Sequence, residues 1–262
     1  MERKTPTDAV AKGKFFYLMK HKSVCGMKQP DGKYVQFLYM DGRIANAAKI
    51  TGNITDENEL KLLTTAEGFK SFIKGIGINA ENAPDSKGKP ETAVFCLQFY
   101  GKKDPYVSGT TIRKEIHLSG AEEYIDLSEV EWSGDDNVVG QIRFEFDTPD
   151  VLADVTVKLY TYPEFEVPEA LPDRIVDTTS PDFKAMIARS VTNYGNTERI
   201  AKAIRDAKDG KQVTVAFIGG SITQGAGAVP INEKCYAYLT YLKFCDLAGV
   251  KPFTNVSYIK AG

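Results

Sequence analysis

The sequence predicts two unlike parts in one chain: a β-sandwich, then the opening of an α/β domain. Three observations carry this. Short apolar runs with period-two alternation, punctuated by glycine and Asp-Gly, occupy residues 14 to 162. A proline-rich acidic stretch comes next. Beyond it lie a helix, a continuous apolar strand, a glycine-rich loop and a second helix, the pattern of one βαβ unit. The expected divisions are 1–162, 163–182 and 183–262.

In the first part, Lys33–Met40 reads as a strand ending at Asp41-Gly42. Residues 56–75, with Leu60, Leu62, Leu63, Phe69, Phe72 and Ile73, read as a helix, and Gly75–Lys89 reads as a flexible loop. Thr92–Tyr100 and Thr111–Leu118 are strands, each followed by glycine within two residues. In Tyr124–Trp132, residues Ile125, Leu127 and Val130 alternate in part. In Val139–Phe146 the alternation is strict at Ile142, Phe144 and Phe146, and Val155, Val157 and Leu159 repeat it. Such alternation puts the apolar side chains on one face of a half-buried strand. Many short strands of this kind predict an antiparallel sandwich.

The middle stretch contains Pro163, Pro168, Pro172 and Pro181 among acidic residues, as in an extended linker. Ser180-Pro181 is a helix-start signal. Thr197–Lys208 is an amphipathic helix with Ile200, Ala203, Ile204 and Ala207 on one face. Val213–Ile218 is apolar almost throughout, as expected of a strand buried on both faces. Glu233–Ala248 is the next helix, and Thr254–Ile259 begins a second strand.

Composition narrows the function. The 262 residues carry 33 Lys+Arg, 35 Asp+Glu, 42% hydrophobic and 26% charged residues. That is ordinary globular usage, against a disordered, collagen-like or disulfide-dense chain. A net charge of −2 gives no footprint for nucleic acid, and no run approaches the length of a membrane span. Between Glu115 and Asp177 lie 17 acidic and three basic side chains, which could favour a calcium ion or a basic partner but read first as a solvated sheet face. Cys25, Cys96, Cys235 and Cys245 show no metal-ligand spacing, and no metal or organic cofactor is expected. Cys235 and Cys245 would lie ~15 Å apart along one helix, too far for a disulfide, so buried thiols are expected. The N-terminal Met-Glu-Arg-Lys lacks the apolar run of a secretory signal, so the chain as written reads as cytoplasmic, or as secreted if a leader was removed.

The loop after Ile218, Gly219-Gly-Ser-Ile-Thr-Gln-Gly-Ala-Gly-Ala228, places Ser221 at the carboxyl end of a strand, where open α/β sheets hold their ligands. Three readings are open: a structural turn, a nucleophile at Ser221, or a phosphate cradle. The lysine of a P-loop is absent, since Ala226 comes directly after Gly225. The Gly-x-Gly-x-x-Gly spacing fails at Pro230, and the Gly-x-Ser-x-Gly elbow fails at Thr223.

Asn193-Tyr-Gly-Asn196, the helix to Lys208 and the block Val213–Ala228 together resemble the opening of the SGNH (GDSL-like) hydrolase family, in its bacterial Gly-Gly-Ser-Ile-Thr branch. Cys235-Tyr-Ala-Tyr-Leu and Val256–Gly262 resemble the next segments of that branch. The resemblance spans about residues 190 to 262. It implies a three-layer α/β domain in which Ser221 attacks an ester carbonyl and lends its N–H to the oxyanion, with Gly220 shaping the loop. The later blocks of that family, Gly-x-Asn-Asp and Asp-x-x-His, have no counterpart. The sole histidines, His21 and His117, precede the serine and lie outside any Asp-x-x-His string. The expectation is therefore an incomplete, inactive portion of a longer enzyme. Its uncovered apolar faces would dock on the sandwich, pair in a homo-oligomer, or leave this end partly disordered.

Residues 124–134 and 139–146 are similar to strands of galactose-binding-like jelly-roll domains, which precede the catalytic half of some carbohydrate acetyl esterases. The implied substrate is an acylated carbohydrate or another small ester. Trp132 is the candidate sugar-stacking ring, with Tyr100, Tyr106 and Tyr162 as further aromatics, although strand and core packing is the more ordinary use of such rings. The rival reading is a non-catalytic carbohydrate-binding or protein-interaction fragment.

Overall fold

The computed structural model describes residues 12–168, 176–193 and 195–261. The chain forms two units, 1–170 and 171–262.

The first unit contains β1 (Lys12–Cys25), β2 (Met27–Lys28), β3 (Tyr34–Tyr39), α1 (Arg43–Thr51), α2 (Glu57–Leu62), α3 (Ala66–Phe72), β4 (Ile73–Asn82), β5 (Thr92–Gly101), β6 (Thr111–His117), β7 (Ser119–Asp126), β8 (Asp136–Phe146) and β9 (Leu152–Glu166). One sheet has the order β1-β9-β4-β7 and the other β2-β3-β8-β5-β6. Within each, neighbours run antiparallel. Strands close in sequence mostly alternate between the sheets, the order of a jelly-roll sandwich. Alternation supplies the core: Ile142, Phe144 and Phe146 point inward from β8 while Arg143 and Glu145 point outward. Phe16, Ile76, Ile78, Phe95, Leu97, Val157 and Leu159 complete the filling and are fully buried. Phe95 and Phe144 meet edge-to-face across the β5–β8 pair, with centroids 5.6 Å apart.

The short helices rest on caps. Asp56 accepts from the N–H groups of Asn58 (2.8 Å) and Glu59 (3.0 Å) to start α2. Thr65 accepts from Gly68 N (3.0 Å) to start α3. Phe69 on α3 then packs edge-on to Phe99 at 5.4 Å. A buried carboxylate, Asp136, ties this end of the sandwich together. It accepts from Lys70 Nζ (2.7 Å) and from the backbone N (2.6 Å) and hydroxyl (2.9 Å) of Thr110.

Three expectations change here. The helix expected over 56–75 is two helices with a break, and α1 precedes them. The loop expected over 75–89 is in large part β4, an interior strand between β9 and β7. Its inward Ile76, Ile78 and Ala80 do alternate, but the outward Gly75 and Gly77 masked the signal. The linker expected from Pro163 begins later, because β9 runs to Glu166 and pairs with β1 there. Pro163 is tolerated because it falls in the register shift between the Phe15–Tyr160 and Gly13–Phe165 pairs, where no ladder N–H is required. The remainder of that linker lies partly outside the described residues, and the N-terminal residues 1–8 lie wholly outside them.

The second unit contains α4 (Pro181–Ser190), α5 (Glu198–Lys208), β10 (Val213–Ile218), the single turn α6 (Ser221–Gln224), α7 (Ile231–Lys234), α8 (Tyr236–Ala248) and β11 (Val256–Ala261). β10 and β11 pair in parallel, from Val213–Val256 to Ile218–Ala261. Ala207 of α5 and Tyr241, Cys245 and Ala248 of α8 form a small core with Val256, and Val215, Phe217 and Tyr258 pack onto it. Tyr241 fixes this core: its hydroxyl donates to Val256 O (2.9 Å) and accepts from Phe253 N (2.6 Å).

Val213–Ile218 is not buried on both faces as expected. Its exposure alternates, and Ile218 is 90% exposed. Thr214, Ala216 and Ile218, with Ile259 of β11, form an uncovered face. The unit therefore has two layers in place of the expected three. Among the described residues, no helix is long and apolar enough to cross a membrane, and no cluster of His, Cys, Asp and Glu could hold a metal ion.

Candidate functional site

The Ser221 loop leaves β10 with Gly219 N donating to Ala261 O (3.0 Å), which keeps the loop on the sheet for one more residue. The glycine demanded by space is Gly219, where a Cβ would collide with the Thr223 side chain. Gly220 has open space around it and a φ of −87°. Thr223 is buried, and its hydroxyl shares a 2.8 Å hydrogen bond with Tyr236 OH. Ser221 opens the one-turn α6 and is exposed, and its carbonyl accepts from Gly225 N (3.0 Å) and Ala226 N (2.8 Å). Its hydroxyl has no hydrogen-bond partner among the described residues. No histidine occurs in 171–262. The two histidines belong to the first unit, each beside a carboxylate: His21 Nδ1 lies 3.1 Å from Asp154 Oδ1, and His117 Nδ1 lies 3.1 Å from Glu123 Oε1. The loop thus presents a strand-end serine without a histidine from its own unit.

The sandwich offers a different arrangement on the outer face of its four-stranded sheet. Phe15 and Tyr17 from β1, Tyr160 from β9 and Tyr124 from β7 form a connected set of rings. Phe15 meets Tyr17 at 5.4 Å and Tyr160 at 5.3 Å, and Tyr160 meets Tyr124 at 5.4 Å. The two glycines of β4 make this possible. A Cβ on Gly75 would occupy the Tyr124 ring, and one on Gly77 would stand 2.8 Å from Tyr160 Cε2. Glu122 accepts from Tyr160 OH (2.6 Å) and from Lys158 Nζ, whose ammonium lies 5.1 Å from the Phe15 ring centre. Burial alone would raise the Glu122 carboxyl, but these two donors hold it below the ordinary range. Tyr160 is pushed up to about 12 by burial and by Glu122, so it remains a hydroxyl donor.

Beside the rings runs a groove of about 240 Å³, walled by Tyr17, Asn79, Glu81, Asp154 and Lys158. His21 stands at its edge with a φ of +47°, a left-handed conformation unusual for a non-glycine residue. It sits in the β1 register shift, where its N–H donates to Thr156 Oγ1 (3.1 Å) and its ring reaches Asp154.

Trp132 lies elsewhere. It is half-buried against the core, edge-on to Phe99 at 5.1 Å, with the Lys70 ammonium 4.4 Å over its ring. Tyr100 and Tyr106 stack edge-to-face at 5.5 Å beside the other sheet, and Tyr162 is exposed near the end of β9. Sequence reasoning missed Phe15, Tyr17, Tyr124 and Tyr160 as a group. The signal available was the pair of glycines in an otherwise alternating Gly-Ile-Gly-Ile-Asn-Ala strand.

No protein-family model matches the chain, and no curated protein matches it. Among solved structures, the chain is similar to the native virion of Kashmir bee virus at acidic pH, with 10% identity, 63% of this chain and 77% of that chain covered, and a TM-score of 0.29. It is also similar to the Israel acute paralysis virus pentamer, with 10% identity, the same coverages and a TM-score of 0.28. No match of any kind supports a hydrolase family. The expected membership in the SGNH family is corrected on these findings, and with it the description of the chain as a bacterial esterase.

Proposed function

We propose that the chain is a non-catalytic carbohydrate-binding module, with the groove beside Tyr17 as its binding site. The observation that carries this reading is an aromatic ring, Tyr17, flanked by hydrogen-bonding side chains on a sheet face. A sugar ring presents C–H groups on one face and hydroxyls at its rim. The first pack on an aromatic ring, and the second pair with amides, carboxylates and ammonium groups. Tyr17 supplies the ring. Asn79, Glu81, Asp154 and Lys158 supply both donors and acceptors. The Lys20 ammonium, 5.2 Å over Tyr17, is an exposed surface group that a sugar can displace. A galactose-binding-like use of the jelly roll fits this site.

Calorimetric titration with galactose and with its oligomers tests the proposal. Binding in the millimolar range is expected, weakened at least tenfold by Tyr17→Ala while the circular dichroism spectrum is unchanged. Absence of binding, or binding indifferent to Tyr17→Ala, overturns it. Turnover of a small activated acetyl ester that disappears with Ser221→Ala would replace this reading with a chemical one.

A further inference from the structure

The outer face of the five-stranded sheet carries a second concavity, of about 420 Å³, between the 29–33 turn and the strands. One row across this face reads Phe37, Arg143, Cys96, Arg113, each directly opposite the next on neighbouring strands. Two guanidinium groups therefore stand in one row with a thiol between them. The Cys96 thiol is pushed up to about 11 by burial and by Glu145, so it contributes no negative charge.

Glu145, one row away and only 9% exposed, is the carboxylate they share. Arg113 grips it with two hydrogen bonds, Nη1 to Oε1 at 3.0 Å and Nη2 to Oε2 at 2.6 Å. Cys96 Sγ donates to Oε1 at 3.3 Å. Three donors thus occupy its best acceptor positions. Arg143 reaches this carboxylate only at ion-pair distance. Its Nε lies 3.6 Å from Oε1, is buried, and has no hydrogen-bond partner among the described residues. Lys33 Nζ approaches the same carboxylate at 3.7 Å. Three cations therefore face one inner carboxylate, with Asp31 at the rim, and the Arg143 Nε–H has no acceptor within hydrogen-bonding distance among the described residues. A buried N–H without a hydrogen-bond acceptor is costly, and an oxyanion is a group that matches the edge of a guanidinium. Phe37 and Val35 give the concavity an apolar wall.

We infer that this concavity is a binding site for the oxyanion of a small ligand, held by Arg143 and Lys33 while Arg113 and Glu145 lock the surrounding side chains. The apolar wall favours a carboxylate attached to a ring or chain over a bare ion. The site lies on a different sheet from the Tyr17 groove and stands or falls separately from it.

Calorimetric titration of the full chain with glucuronate, inorganic phosphate and glucose tests the inference. Glucuronate or phosphate should bind, glucose should not bind at this site, and affinity should fall as salt is raised. Arg143→Gln should weaken oxyanion binding at least tenfold, whereas Tyr17→Ala should leave it unchanged. Tighter binding of glucuronate assigns the site to carboxylates, and tighter binding of phosphate assigns it to phosphoryl groups. If Arg143→Gln fails to fold, the Arg143 Nε–H resonance of the unmodified chain should still shift on titration with the bound anion. No binding of either anion, or binding that leaves both Arg143→Gln affinity and that resonance unmoved, overturns the inference.

Discussion

The two units use strands in opposite ways. In the sandwich, two sheets face each other, and each covers the apolar face of the other. In the second unit, β10 and β11 are covered on one side only, by α5 and α8, while Ile218 stands 90% exposed on the other. An apolar strand thus means different things in the two places. Phe144 is a structural keystone, whereas Ile218 is surface. Burial, more than hydrophobicity, decides what a side chain contributes.

The largest contrast should come from these two positions. Phe144→Ala should cost about 3–5 kcal/mol in urea unfolding of the sandwich, through lost transfer energy and a cavity. Ile218→Ser should change stability by less than about 0.5 kcal/mol. Similar losses would mean that the open face of the second unit is covered in solution. A smaller contrast is ionic. Asp136→Ala removes the acceptor of three hydrogen bonds beneath the surface and should cost about 2–3 kcal/mol. Asp206→Ala, between the exposed Lys202 and Lys211, should leave the melting profile unmoved at moderate salt.

Helix caps sharpen the comparison further. Thr65→Ala should lower the stability of the sandwich by about 1 kcal/mol, because α3 is anchored in its core through Phe69. Ser180→Ala removes an equivalent cap from α4, which has no buried residue. It should speed amide exchange in the first turn of that helix without moving the main unfolding transition. Acidity gives the smallest effect. Glu145 is held below the ordinary carboxylate range by Arg113 and Cys96, against the upward push of burial. A lowered folded-state value stabilises the fold above the ordinary range, and this contribution fades as pH falls through it. Below about pH 4.3, the ordinary glutamate value, Glu145→Gln should lose less stability than the parent chain. Parallel acid profiles would exclude Glu145 as a source of the acid limb.

Much of this architecture is legible in the amino-acid order. Ile142, Phe144 and Phe146 announce the inward face of β8, and Val155, Val157 and Leu159 that of β9, because a strand's two faces follow directly from its period. The helix at 198–208 is equally plain. β4 is hidden because Gly75 and Gly77 look like loop residues until the rings above them are seen. The continuation of β9 through Pro163 is hidden because the tolerance comes from a partner strand's register. The sites divide in the same way. Ser221 is conspicuous as part of a local block, yet the features that would make it reactive are not local to it. The ring cluster and the Arg143 fork depend on which strands become neighbours, so no window of sequence contains either one.

The four cysteines give the molecule a built-in clock. None is in a disulfide and all are buried, with Cys25 and Cys96 in one unit and Cys235 and Cys245 in the other. A thiol that stays inside is invisible to alkylating reagents until its surroundings open. Counting labels by mass over time, and locating them by digestion, therefore times the opening of each half of the chain independently, without any introduced probe.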